Sequence, residues 1–197
     1  KVISAAQMSE IRPEISGLLL DYQVTQIKLV ATDSFRLAEK NISANQFKSD
    51  INHSFKVIVP LKTVQEVLRV FSDDEPIKLF IDDNQILFKN NNLQIISRLI
   101  DGEYPDYEQI IPKSIETELS VNKEHFINAV RLVSTFSGKN NDVNLALKNN
   151  KVMEVYLANQ MLGENNYMIP TKTDGKDFEN VSFNWRYLID GLKVIDS

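Results

Sequence analysis

The apolar pattern of this chain occurs twice. An offset of 124 residues, the separation of Ile3 from Ile127, also sets Ala5 on Ala129, Val57 on Val181 and Val59 on Phe183. The same offset sets Val64 on Leu188, Leu68 on Leu192 and Phe71 on Ile195. Identity between the two stretches is low. The order of elements and the phase of their apolar positions agree, which is how an internal duplication reads in sequence. A chain of 197 residues is long enough for two such copies, each with a core of its own.

Periodicity places the elements within a copy. Residues 2–9 read as the end of a helix, closed near Arg12-Pro13 because proline disfavours helical backbone just before it. Strands are expected at 15–22, 26–32 and 35–42, then a polar loop, then a strand at "FKVIVP" (55–60). A helix follows over 62–71, where Val64, Val67, Leu68 and Phe71 share one apolar face. "PIKLFID", "QILFKN" and "LQIISRLI" read as three more strands, linked by Asp82-Asp83-Asn84 and Asn90-Asn91-Asn92, both turn formers. In the second copy helices are expected over 124–134 and 186–195. The boundary between the two copies is expected near the connector "IIPKSIETELSV". The first reads as nearly complete but for a leading strand, and the second as ending after its second helix. An interior piece of a longer protein is the expectation. Each half-copy runs strand, helix, three strands, so helices should pack on one face of antiparallel sheets in an α+β arrangement.

The residues that carry catalysis in other proteins are scarce. Cysteine is absent, which excludes disulfides, cysteine-based zinc sites and thiol nucleophiles. Of the two histidines, His53 lies in a polar loop and His125 at a helix start, and both read as structural or solvated. No glycine-rich phosphate loop or nucleophile elbow is present. The acidic pairs Asp73-Asp74 and Asp82-Asp83 fall in turns, where adjacent carboxylates are ordinarily solvated. No cofactor, no metal and no enzymatic activity are expected. No apolar run approaches the roughly 18 residues of a membrane span, so a cytoplasmic protein without a membrane partner is expected.

The net charge of −5 argues against a protein that coats DNA but leaves room for a local basic face. Opposite the apolar faces of the expected helices lie Lys62, Thr63, Gln65, Glu66 and Arg69, then Asn128 and Arg131, then Arg186, Asp190 and Lys193. Lys1, Ser4 and Gln7 occupy the first helix, with Arg12 after it and Lys123 opening the third. Pattern alone leaves three classes open: a binding module, a hydrolase or transferase using the acidic turns, and a β-rich scaffold with no nucleic-acid role.

Five ordered segments narrow this. "RPEISGLLL" (12–20), "LVATDSFRLA" (29–38), "VIVPLKTVQEVLR" (57–69), "LIDGEYPDY" (99–107) and "FNWRYLIDGL" (183–192) together resemble the bacterial β sliding clamp family, the processivity subunit of DNA polymerase III. The resemblance implies a DNA-clamp fold of duplicated domains whose helices line a ring. Residues 1–115 would be the middle domain and 116–197 much of the C-terminal one. It implies a homodimeric ring around duplex DNA in the intact protein and a monomeric state for this piece. The implied location is cytoplasmic and nucleoid-associated. Lys1, Arg12, Lys62, Arg69, Lys123, Arg131 and Lys193 would face DNA.

The same resemblance implies a pocket for short extended peptides of the DNA polymerase III catalytic subunit, the clamp loader and repair polymerases. Its residues would be Ile15, Thr32, Ser34, Phe35, Arg36, Leu37, Pro105, Gln109, Ile110, Asn184 and Tyr187, at the junction of the two domains. Thr32, Arg36 and Asn184 are expected to hold the peptide's polar groups. The chain departs from the family where Ser34-Phe35 replaces a frequent Gly-His and Gln109 a basic residue. It departs again near Asn140, where "GKNNDV" is polar and an aromatic is expected. A shifted peptide preference is the implied consequence.

Overall fold

A computed structural model describes residues 1–71 and 75–196. The chain divides into two compact units, Lys1–Asp106 and Tyr107–Ser197, ahead of the 115/116 boundary expected from sequence. Asp73 and Asp74 lie outside the described residues.

The first unit contains β1 (Gly17–Tyr22), β2 (Gln26–Thr32), β3 (Leu37–Ser43), β4 (Phe55–Pro60), α1 (Leu61–Val70), β5 (Lys78–Ile81), β6 (Gln85–Lys89) and β7 (Gln94–Arg98). Its sheets have the strand orders β3-β2-β1-β4 and β5-β6-β7, antiparallel throughout, with an Ile58↔Ile100 bridge beside β4. All six residues of β1 are buried, which explains why "GLLLDY" does not alternate apolar with polar. Leu20 and Tyr22 join Val59, Val67, Phe71, Ile86 and Phe88 in one core, and Leu18 joins Val2, Ala5 and Ala31 in another. Asp21 is buried in the same strand. Gln23 Nε2 donates to its carboxylate at 2.9 Å and Lys56 Nζ lies 3.7 Å away, so the charge is met as burial requires.

The second unit contains β8 (Thr117–Val121), α2 (Lys123–Ser134), β9 (Asp142–Lys148), β10 (Val152–Asn159), β11 (Gly163–Gly175), β12 (Val181–Asn184) and α3 (Trp185–Val194). Its sheet runs β12-β9-β10-β11-β8. Without β8, this is the β4-β1-β2-β3 order of the first unit. Helices α1 and α3 coincide at the offset of 124, Leu61 on Trp185 and Val70 on Val194. Ala129, Val130 and Val133 of α2 pack with Val143, Met153, Val155 and Ile169, and Leu188 and Leu192 of α3 join them. Both helices therefore cover one face of the sheet, the α+β arrangement the pattern implied. Each starts on an asparagine cap: Asn122 Oδ1 accepts from the His125 N–H and Asn184 Oδ1 from the Arg186 N–H, both at 3.0 Å.

Three local expectations need correction. The helix expected over 2–9 is a single 3-10 turn, Val2–Ala5, followed by extended backbone at Ala6. One turn fixes several residues for little hydrogen bonding. Here the chain is drawn away by Ser9, whose N–H donates to Ser16 Oγ and whose carbonyl accepts from that hydroxyl, both at 2.8 Å. Leu68 is 54% exposed rather than packed. Its counterpart Leu192 packs in the second unit's core, where α3 lies against α2; the matching element of the first unit is only the short turn. The strand expected at 35–42 begins at Leu37 because residues 33–36 form a corner.

Gly17 marks a close approach of β1 to β4. A Cβ there would lie 2.6 Å from the Val59 carbonyl oxygen and 2.7 Å from Ile58 Cγ2. Gly17→Ala is expected to lower the unfolding free energy by about 1–3 kcal/mol, measured by urea denaturation. An unchanged midpoint would contradict this packing.

Candidate functional site

Residues 32–37 join β2 to β3 through side-chain bonds in place of ordinary turn chemistry. The Asp33 carboxylate, 1% exposed, accepts the Phe35 and Arg36 N–H groups on Oδ1, both at 3.0 Å, and Arg36 Nε on Oδ2 at 2.9 Å. Thr32 Oγ1 donates to the Arg36 carbonyl at 2.7 Å and accepts from the Ser34 N–H at 3.1 Å. Such side-chain to backbone bonds replace the turn a glycine pair would make. Ser34 has φ 75°, the left-handed region that favours glycine. Its hydroxyl accepts from Arg12 Nη1 at 3.2 Å, and Arg12 Nε also pairs with Glu14 at 3.1 Å. That guanidinium and Glu14's own backbone N–H hold the Glu14 carboxyl below the usual carboxylate range, the backbone contribution being the larger.

This geometry sorts the expected residues of the first unit. Ile15 and Thr32 are buried, and Thr32 and Arg36 direct hydrogen-bonding groups into the corner. Ser34 and Phe35 are exposed, Phe35 by 83%, while Leu37 and Pro105 are half-buried. The surface offered outward therefore presents the Phe35 ring, with part of Leu37 and Pro105, beside the Ser34 hydroxyl on a polar frame. Arg12, expected to face DNA, stands at this corner, a position that only the fold brings out because Ser34 is distant in sequence.

Tyr104 adds a residue the sequence reading did not select. Its hydroxyl is buried and faces the Thr32 backbone. Burial pushes its ionisation up to about 12. A phenol raised above its unfolded value of about 10 contributes stability that is complete below that value and lost as pH climbs toward 12.

In the second unit, Asn184 caps α3 with its side-chain oxygen, Tyr187 is half-buried one position after Arg186, and Arg186 lies 5.2 Å from the Trp185 ring centre. Gln109 and Ile110 are exposed on the 3-10 turn Tyr107–Ile110.

The basic residues fall into two groups. Lys62 and Arg69 are exposed on α1, opposite its buried Val67. Arg131 and Lys193 are exposed on α2 and α3, which pack side by side. Arg69 is bound to Glu66 on its own helix, Nε to Oε2 at 2.9 Å, and that hydrogen bond holds the Glu66 carboxyl below its usual range. Lys123 instead donates to the Ile195 carbonyl beyond the end of α3, and Lys1 is exposed beside the first turn.

The acidic turn at Asp82 is accounted for by its backbone: Oδ1 accepts the Asn84 N–H at 3.0 Å and the Gln85 N–H at 2.8 Å. Among the described residues no group of three or more His, Asp or Glu is arranged to hold a metal, and no helix is long and apolar enough to cross a membrane. The corner itself gives a direct check. Asp33→Asn leaves its shape intact but weakens three charge-assisted bonds. It is expected to cost about 1.5–3 kcal/mol in urea unfolding, and a change below measurement error would contradict the role given to the carboxylate.

Comparison with known proteins agrees along the whole chain. A family model described as the DNA polymerase III beta subunit, central domain, matches residues 1–106, and one for the C-terminal domain matches residues 108–197. The chain is 34% identical over 199 residues to the beta sliding clamp of Streptococcus pneumoniae serotype 4, covering 98% of this chain and 51% of that protein. It is 31% identical over 202 residues to the beta sliding clamp of Bacillus subtilis, covering 100% and 52%. The crystal structure of the DNA polymerase sliding clamp from Bacillus subtilis superposes with a TM-score of 0.93 at 30% identity, over 100% of this chain and 52% of that one. This chain thus spans about half the length of the curated relatives it matches. On these matches and the repeated topology, the chain belongs to the DNA polymerase III beta subunit family, whose central and C-terminal domains it follows in order.

Proposed function

We propose that this chain supplies the central and C-terminal parts of a ring that encircles duplex DNA and tethers a polymerase to it, without catalysing a reaction. The observation that carries this reading is the repeated topology: two consecutive units share one strand order and one helix position, and both match domains of the same clamp subunit. A ring holds DNA by enclosure, so it needs no base contacts and no strong ones. Exposed Lys62, Arg69, Arg131 and Lys193 suit loose, partly water-mediated contact with phosphates. The overall charge of −5 suits an outer surface that repels DNA. The whole ring would be a homodimer in the cytoplasm, associated with the nucleoid.

Partners are proposed to dock by short extended peptides, those of the DNA polymerase III catalytic subunit, the clamp loader and repair polymerases. In the first unit this reading assigns the exposed face of the 32–37 corner with Pro105, and in the second, taken by itself, Gln109, Ile110, Asn184 and Tyr187. Arg12 joins the docking residues in this reading and leaves the DNA-facing set, because it is bonded to Ser34. Phe35 supplies an aromatic contact for a peptide's apolar anchor.

The reading is tested by titrating a fluorescent clamp-binding peptide into the chain and its variants. Leu37→Ala and Phe35→Ala are expected to weaken binding by about 1–2 kcal/mol each while leaving circular dichroism unchanged. Affinity unaltered in both would remove the corner from the docking surface.

A further inference from the structure

The three-stranded sheet of the first unit has a second face that the clamp reading does not use. On one side Ile86, Phe88 and Ile95 enter the core shared with Val67 and Phe71 of α1. On the other side the register aligns Phe80 with Leu87 and Leu87 with Ile96, a row running across all three strands. Phe80 is 53% and Ile96 65% exposed, with Leu87 half-buried between them. One row along, Lys78 pairs in register with Lys89; on the other side of the apolar row stands Arg98. These three cations have no ion-pair partner among the described residues.

Cross-strand apolar pairs stabilise a sheet. That role does not require Phe and Ile to stand in water, nor cations on both sides of them. Scattered apolar side chains are ordinary on a surface, whereas a contiguous apolar row rimmed by charge marks an interaction site. We propose that this face docks an acidic segment of a partner protein, with bulky apolar side chains seated along Phe80, Leu87 and Ile96. Its carboxylates would meet Lys78, Lys89 and Arg98. Two of the three apolar residues are aliphatic and offer no stacking surface to a base. A second copy of the chain would bring three cations against three cations. The acidic peptide satisfies both the row and its rim.

The probe is a short labelled peptide alternating Glu with Leu and Phe, with a control in which Lys replaces Glu, followed by fluorescence anisotropy. The acidic peptide is expected to bind saturably and the control not to. The double variants Phe80→Ser with Ile96→Thr, and Lys78→Glu with Lys89→Glu, should each weaken binding about tenfold or more. The charge variant should gain affinity for the Lys control, which a purely sheet-stabilising role would not produce. Leu37→Ala should leave this binding unchanged, separating the face from the 32–37 corner. Equal binding of the two peptides, binding indifferent to the charge variant, or loss only in Leu37→Ala would overturn the proposal. So would sedimentation showing that the face pairs copies of the chain with one another.

Discussion

The Asp33 carboxylate is the interaction on which the candidate site depends. It is almost wholly removed from water and accepts from two backbone N–H groups and one guanidinium. A buried charge is tolerated only when its bonds are complete, and completing them dictates where Phe35 and Arg36 stand. The path of the chain then sets Thr32 opposite Leu37 and carries that register along β2 and β3 from Ala31↔Ala38 to Gln26↔Ser43. A residue at the tip is left with its side chain in solvent, and that residue is an aromatic. The polar frame looks inward and the apolar contact looks outward, the division a docking surface needs.

Duplication explains the larger layout in the same physical terms. In each unit a strand that closes one edge of a sheet leads directly into a helix, β4 into α1 and β12 into α3, so the helix can fold back onto only one face. The cations of α1, α2 and α3 lie away from the cores those helices close. The first unit departs from the second where α2 has only a 3-10 turn as counterpart, and the exposed Leu68 follows from that difference.

Much of this was legible in the residues. Asn and Asp triplets marked the turns of the β5-β6-β7 sheet, and Val64, Val67 and Phe71 marked the buried side of α1. The offset of 124 carried α1 onto α3 without adjustment. The bonding of the corner was not readable. Thr32, Asp33 and Arg36 act through side-chain to backbone bonds, and Ser34 adopts a conformation usually given to glycine. The bond from Arg12 to Ser34 was unreadable for a related reason: the two residues are brought near only by folding. The row Phe80-Leu87-Ile96 was hidden because each residue alternates correctly within its own strand, and only cross-strand register reveals them as one surface. The helix expected over 2–9 failed because tertiary bonds at Ser9 and Ser16 outweighed a local preference.

Enclosure of DNA is the central claim, and topology tests it more directly than affinity. The measurement is retention of the full-length protein carrying these residues on circular plasmid, by gel filtration in high salt, before and after the plasmid is cut once. A ring predicts complexes that survive salt on the circle and are lost once an end is created. Equal loss from circular and linear DNA, or equal retention on both, would contradict the account.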